Sequence, residues 1–143
     1  MAEKNIEKKI TYLQMIQSSI DRMSTTSAVF KGLCATIITG ISAISFTEIN
    51  KWVLLLAVLP VVCFLVIDIY YLQLERRYRA LYNSVRCGNH KIDFDLAPPK
   101  TKDLRSDDVA IWSCIKSPSI YLFYTPAIII ATIVIIMKFT EVM

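Results

Sequence analysis

The sequence predicts an all-α integral membrane protein with three transmembrane helices and helical cytoplasmic extensions. Three observations carry that prediction. The 143 residues are 55% hydrophobic, with a mean hydropathy of +0.48, whereas a soluble domain of this size hides its apolar residues in one core and averages below zero. The apolar residues gather into three blocks nearly free of charge, separated by very basic segments. Flanking those blocks, apolar residues recur at the three- and four-residue spacings of an amphipathic helix. At 16.3 kDa the chain accommodates one membrane domain and a small appendage, which excludes a separate catalytic domain.

Ile6, Ile10, Leu13, Ile16, Ile20 and Met23 form an apolar stripe with Glu, Lys, Gln and Asp between them, so segment 1–31 reads as an amphipathic helix that runs on into the first span. Gly32 to Thr47 carries no charge, and this block reaches back to Ala28 if Lys31 snorkels to the headgroups. Thr47-Glu48-Ile49-Asn50-Lys51 is too short for anything but an antiparallel hairpin. Trp52 to Ile67 is the second span, closed by Asp68. Tyr71, Leu74, Tyr78, Leu81 and Val85 then repeat the helical spacing, and nothing breaks helix before Arg86. Segment 32–86 is therefore a transmembrane hairpin whose second helix protrudes, and the two protruding stripes should pack against each other or against other subunits.

Cys87-Gly88-Asn89-His90 reads as a helix stop and turn, and Ala97-Pro98-Pro99-Lys100 as extended loop. Ser106 as N-cap, Asp107 and Asp108 in the first turn, and Val109, Trp112 and Ile115 signal a short helix. Trp112 suggests that it lies at the membrane interface, so 87–116 is a basic loop plus an interfacial helix. Ser117-Pro118 restarts helix for the third span, Ser117 to Met137, within segment 117–143.

Counting cations orients the chain. Five Lys and Arg precede Gly32, nine lie between Asp68 and Lys116, and the hairpin turn and the tail hold one each. Fourteen of sixteen thus share a side, which the positive-inside rule makes cytoplasmic, with the C-terminus outside. No cleavable signal peptide is expected, because a charged amphipathic stretch precedes the first apolar run.

Catalysis is not expected. The chain has one histidine, His90, and no Gly-rich phosphate loop or nucleophile elbow. Cys87 and His90 form a lone C-x-x-H, short of the four ligands of structural zinc, so neither metal nor cofactor is expected. The cysteines read as small apolar fillers with no stable disulfide.

Three features bear on function. Gly32, Thr36 and Gly40, with Ala35, Thr39, Ser42 and Ala43 beside them, give the first span a small, hydroxylated face, suited to close helix packing or to lining a narrow water path. Asp68 would be costly unpaired at the end of a span, and Arg22 or Lys31 on the neighbouring helix is within reach as its ion-pair partner. Arg76, Arg77, Arg79, Arg86, Lys91, Lys100, Lys102 and Arg105 make the appendage basic. Topology and attraction to anionic lipid explain such a patch, as does a phosphate-rich ligand, with Tyr78 and Tyr82 available for base stacking.

The run Asp68-Ile69-Tyr70-Tyr71-Leu72-Gln73-Leu74-Glu75-Arg76-Arg77-Tyr78-Arg79-Ala80-Leu81-Tyr82, with Gln14-Met15-Ile16-Gln17 and Arg22-Met23 upstream, resembles the small membrane effectors of Hailong-type antiphage systems. The resemblance covers roughly the first ninety-five residues. It implies an oligomeric ion channel, a tetramer, held closed by a single-stranded DNA oligomer made by a nucleotidyltransferase encoded alongside. Infection removes the oligomer and the open channel halts the cell. The basic face from Arg76 to Arg105 would hold the ligand. The alternative from the residues alone is a non-conducting membrane anchor that binds a soluble partner or anionic lipid.

Overall fold

The computed structural model describes residues 2–44, 52, 56, 58–100 and 110–140. Among the described residues the secondary structure is entirely helical: α1 (Ala2–Ile44), α2 (Val58–Arg86), α3 (Ile111–Ile115) and α4 (Pro118–Thr140). α1, α2 and α4 are each long and apolar enough to cross a membrane. The hairpin turn, the Ser106 N-cap, Lys102 and Arg105 lie outside the described residues. At 1.5 Å per residue α1 is about 65 Å long and α2 about 44 Å, both beyond the roughly 30 Å of a hydrocarbon core.

The chain divides into two compact units, 1–27 with 70–114 and 28–69 with 115–143. Each unit draws a part of α1 together with a part of α2.

The first unit is built on the two amphipathic stripes, which pack on each other. Tyr12, Ile16 and Ile20 of α1 and Leu81 and Val85 of α2 form a buried cluster, with Leu13, Tyr78, Tyr82, Ile92 and Leu96 packed around it. Each fully buried aliphatic side chain contributes about 1.5–3 kcal/mol, so this cluster is the main source of the unit's stability. Ile6 and Ile10, counted in the stripe, are instead 60% and 51% exposed. The reason is length: Lys9 Nζ donates to the carbonyl of Arg86 at 2.9 Å, and Arg86 is the last residue of α2. Ile6 lies before that level, where α2 offers no neighbour to cover it, and Ile10 lies at its edge.

The end of α2 is set by Gly88. Asn89 N–H donates to Ser84 O at 3.0 Å and Gly88 N–H to Val85 O at 3.1 Å, the paired bonds of a Schellman cap, with Gly88 at φ +78°. A Cβ there meets no neighbour within 4 Å, so the penalty for alanine is conformational only. Gly88→Ala should cost about 1–2 kcal/mol, read as a drop in thermal stability of the purified protein.

The second unit packs by its small and medium side chains. Ile120, Tyr124, Ala127 and Ala131 form the buried face of α4, and Cys34 and Ile38 of α1 and Val61 and Asp68 of α2 are buried in the same unit. The alanines allow close approach where lipid gives helices no hydrophobic drive to associate. Leu59, Val62, Val66, Leu122, Ile129, Ile133 and Ile136 point outward and are about half or more exposed. So large an apolar exterior is compatible with insertion in a bilayer and would be an aggregation surface in water. α4 starts at Pro118, where its missing N–H costs nothing, and Ser117 O accepts from Ile120 N–H at 2.9 Å.

Candidate functional site

Two groups of polar side chains stand out, one in each unit. In the second unit Asp68 is fully buried, and its Oδ2 lies 3.1 Å from Lys31 Nζ. Of the two cations the sequence put within reach, Lys31 is the one paired with it. Lys31 also donates to Ser119 Oγ at 3.0 Å. The Tyr124 hydroxyl on α4 is buried with no hydrogen-bond partner among the described residues. Phe30 and Phe64, one residue before Lys31 and four before Asp68, pack ring on ring at 5.8 Å. α1, α2 and α4 each contribute to this node, and a buried charge left without its partner costs several kcal/mol. Chemically the node is a tie among three helices. Ser119 and Tyr124 carried no sequence signal for it.

In the first unit the arginines of α2 divide into two kinds. Arg77 turns onto the loop, donating from Nε to Pro99 O at 2.9 Å and from Nη2 to Pro98 O at 3.2 Å. Arg76 Nη1 donates to Ser113 Oγ at 3.1 Å. Both guanidinia are half-buried and fasten the loop and α3 back onto α2. Arg79 is exposed and pairs with Glu75 one turn earlier at 2.7 Å. Arg86, Lys91 and Lys100 are exposed and make no side-chain hydrogen bond or ion pair among the described residues. Tyr78 and Tyr82 are half-buried against the apolar cluster, so part of each ring is committed to packing.

The loop after Gly88 is held by Tyr12, a residue that the sequence motifs do not single out. Tyr12 is fully buried; its hydroxyl donates to the Asp95 carbonyl, and Asp93 Oδ1 lies 3.5 Å away. Phe94, at φ 61°, packs its ring on Tyr12 at a centroid distance of 5.5 Å. Asp93 and Asp95 each accept from the backbone N–H two residues on, at 3.1 and 2.9 Å, the Asx geometry that holds such a turn. Tyr12 stands four residues before Ile16 on the same helix face, and that spacing was the available signal.

The Asp95 N–H, followed by nearby His90 and Tyr12, holds the Asp93 carboxyl below its ordinary value. Burial, followed by the charges of Asp93 and Asp95, pushes the Tyr12 phenol above 10.0. The signs give a window. Asp93's contribution is present above the ordinary carboxylate range and is lost as pH falls through its depressed value. Tyr12's is present below pH 10.0 and is lost as pH rises through its raised value. Tyr12→Phe should loosen residues 91–97 by about 1 kcal/mol and abolish the alkaline loss, as measured by amide hydrogen exchange of the loop.

On the small-residue face of α1, Thr36 and Thr39 are exposed, and each hydroxyl donates to its own helix, to Gly32 O at 3.0 Å and Ala35 O at 2.9 Å. Ser42 does the same to Ile38 O at 2.8 Å. A Cβ added at Gly32 or Gly40 would meet nothing within 4 Å. Among the described residues, therefore, no helix of the same chain uses the close approach that these glycines permit. Cys87 is exposed, and His90 Nδ1 lies 2.8 Å from the Lys91 carbonyl.

No family model, curated protein or solved structure matches this chain.

Proposed function

We propose that this chain is the subunit of an oligomeric membrane effector of bacterial antiphage defence. It forms an ion channel in the inner membrane, with the N-terminus and the basic loop cytoplasmic and the C-terminus outside. An anionic ligand, a single-stranded DNA oligomer or a nucleotide, holds the channel closed at the basic face, and its loss causes abortive infection. The observation that carries the reading is the set of exposed cations Arg79, Arg86, Lys91 and Lys100, on a unit continuous in chain with three apolar helices. The resemblance of segment 68–82 to Hailong-type effectors supports it, and implies a tetramer and a partner nucleotidyltransferase. A ligand gates only by binding one conformation better than the other, and an oligomer bridging several subunits supplies that difference. The uncovered face at Gly32, Thr36, Thr39 and Gly40 is then where subunits meet or where the pore runs.

A second reading, a non-conducting membrane anchor for a soluble partner or anionic lipid, draws support from Arg76 and Arg77. Their guanidinia serve the chain's own loop and α3 region rather than a ligand. Conductance of the purified protein in a planar bilayer separates the two readings. Discrete currents suppressed by short single-stranded DNA on the basic side are the expected result. Currents indifferent to DNA would remove the ligand and keep the channel. Silence from folded, oligomeric protein would favour the anchor.

A further inference from the structure

Arg22 is exposed and pairs with no carboxylate among the described residues. Its neighbour in chain, Asp21, accepts through Oδ1 from Gln17 Nε2 at 2.9 Å, and Glu75 of α2 holds Arg79 at 2.7 Å. Arg22 instead lines a cavity of about 320 Å3 with Met23, Thr26, Tyr70, Tyr71 and Leu74, all of them in the first unit. The two tyrosine rings meet edge to face at 6.0 Å and 87°. Met23 is buried and gives the cavity an apolar wall. The Thr26 hydroxyl donates to Arg22 O at 2.8 Å, so what it has left for a ligand is acceptor capacity.

These groups select a ligand by their chemistry. A guanidinium suits a pair of phosphate oxygens. Tyr70 is 59% exposed, which leaves much of a phenol ring for a planar group to stack on. Tyr78 and Tyr82, the tyrosines expected to stack bases, are packed against the apolar cluster instead. An inorganic phosphate has no use for the ring, and an apolar molecule has none for the guanidinium. A nucleotide uses both, and its base carries N–H donors that the Thr26 oxygen can accept. The cavity is near the lower end of the roughly 300–1,000 Å3 typical of small-molecule sites, room for one base with its phosphate.

We propose that this cavity is a nucleotide subsite: one base stacks on Tyr70, its phosphate bonds to Arg22, and Thr26 Oγ1 accepts from the base. The subsite rests on the nucleotide ligand of the proposed function and names where a base is taken up. The exposed Arg79, Arg86, Lys91 and Lys100 contribute charge only. The same chemistry serves a free mononucleotide and a nucleotide within a strand.

The test is fluorescence anisotropy of a labelled short oligothymidylate titrated with the full chain in detergent. Tyr70→Ala should weaken binding about tenfold, the effect of losing one base stack, and leave the salt dependence unchanged. Tyr70→Phe keeps the ring and should bind as wild type does. Arg22→Gln should weaken binding to a similar extent and lower the salt slope by about 0.7. Arg22 and Tyr70 are both exposed, so these substitutions leave the packing intact. An abasic oligomer of the same length needs no variant; it should bind wild type about tenfold more weakly and be indifferent to Tyr70→Ala. Displacement by thymidine monophosphate that depends on Arg22 and Tyr70 would support the subsite for a free nucleotide. Oligomer binding that depends on both residues, without such displacement, would support it for a strand. Full binding by Tyr70→Ala, or an abasic oligomer bound as tightly as oligothymidylate, would overturn the subsite alone. Wild type that binds neither oligomer nor mononucleotide would overturn the nucleotide ligand as well. Better displacement by phosphotyrosine than by thymidine monophosphate would overturn the subsite and reassign the cavity to a peptide.

Discussion

Lys31→Met should destabilise the protein by about 3 kcal/mol or more, the largest stability loss expected from any single change outside the apolar packing. The loss comes from the group that the substitution leaves behind. Asp68 has no exposed side-chain surface, whereas Lys31 keeps 18%. Removing the lysine leaves a fully buried carboxylate without its cation, and breaking a buried pair in this way costs about 3–5 kcal/mol. Asp68→Asn leaves a cation that retains its bond to Ser119 and can extend its long stem toward solvent. Its cost should be distinctly smaller. Lys31→Met combined with Asp68→Leu removes both charges and should recover most of the loss, because a well-packed apolar pair is often as stable as the ion pair it replaces. Thermal or denaturant unfolding of the detergent-solubilised protein by circular dichroism reads all three variants. Equal losses for the two single substitutions would mean that Asp68 is not the stranded partner.

Much of this node could be read from the chain. A carboxylate that closes an uncharged block must find a cation, and the phase of α1 chooses between the two candidates. Lys31 stands three residues before Cys34 and seven before Ile38, which are both buried, so it shares their face. Arg22 follows a different course, into the pocket with Tyr70. The pairing of the two amphipathic stripes was readable for the same reason, since a 3.6-residue period fixes a face wherever it is sustained. The contacts of Arg77 were not readable. They are made with the carbonyls of Pro98 and Pro99, and which carbonyls come within reach depends on the path of the loop, for which the chain carries no periodic signal. Tyr12 lies between these cases. Its spacing to Ile16 places it on the buried face, but its function as the anchor of the loop depends on the turn at Asp93 to Asp95. The exposure of Ile6 and Ile10 follows from where α2 stops, a property of a different segment from the one that holds the stripe.

The distinction between inward- and outward-turned cations also determines how the ligand should be sought. Combined Arg86→Gln, Lys91→Gln and Lys100→Gln should lower the salt dependence of single-stranded DNA binding by a slope of about 2, since each neutralised contact on a single strand contributes roughly 0.7. Because these three side chains are exposed and tie nothing together among the described residues, the triple variant should fold and oligomerise as wild type does. Arg79 belongs with them, because an exposed ion pair such as that with Glu75 is worth only about 0–1 kcal/mol and yields readily to a phosphate. Arg76 and Arg77 do not belong with them. Neutralising those two releases Ser113 and the Pro98 and Pro99 carbonyls, so their variants should lose stability before they reveal anything of a ligand. Under the channel reading, the exposed triple variant loses the ligand that holds the pore shut, and its expression alone should depolarise the membrane and arrest growth without infection. Two measurements check this: the slope of log affinity against log salt with the purified protein, and membrane potential in cells expressing the variant at wild-type levels. An unchanged slope together with harmless expression would move the ligand off this face and leave the anchor as the better account of the basic loop.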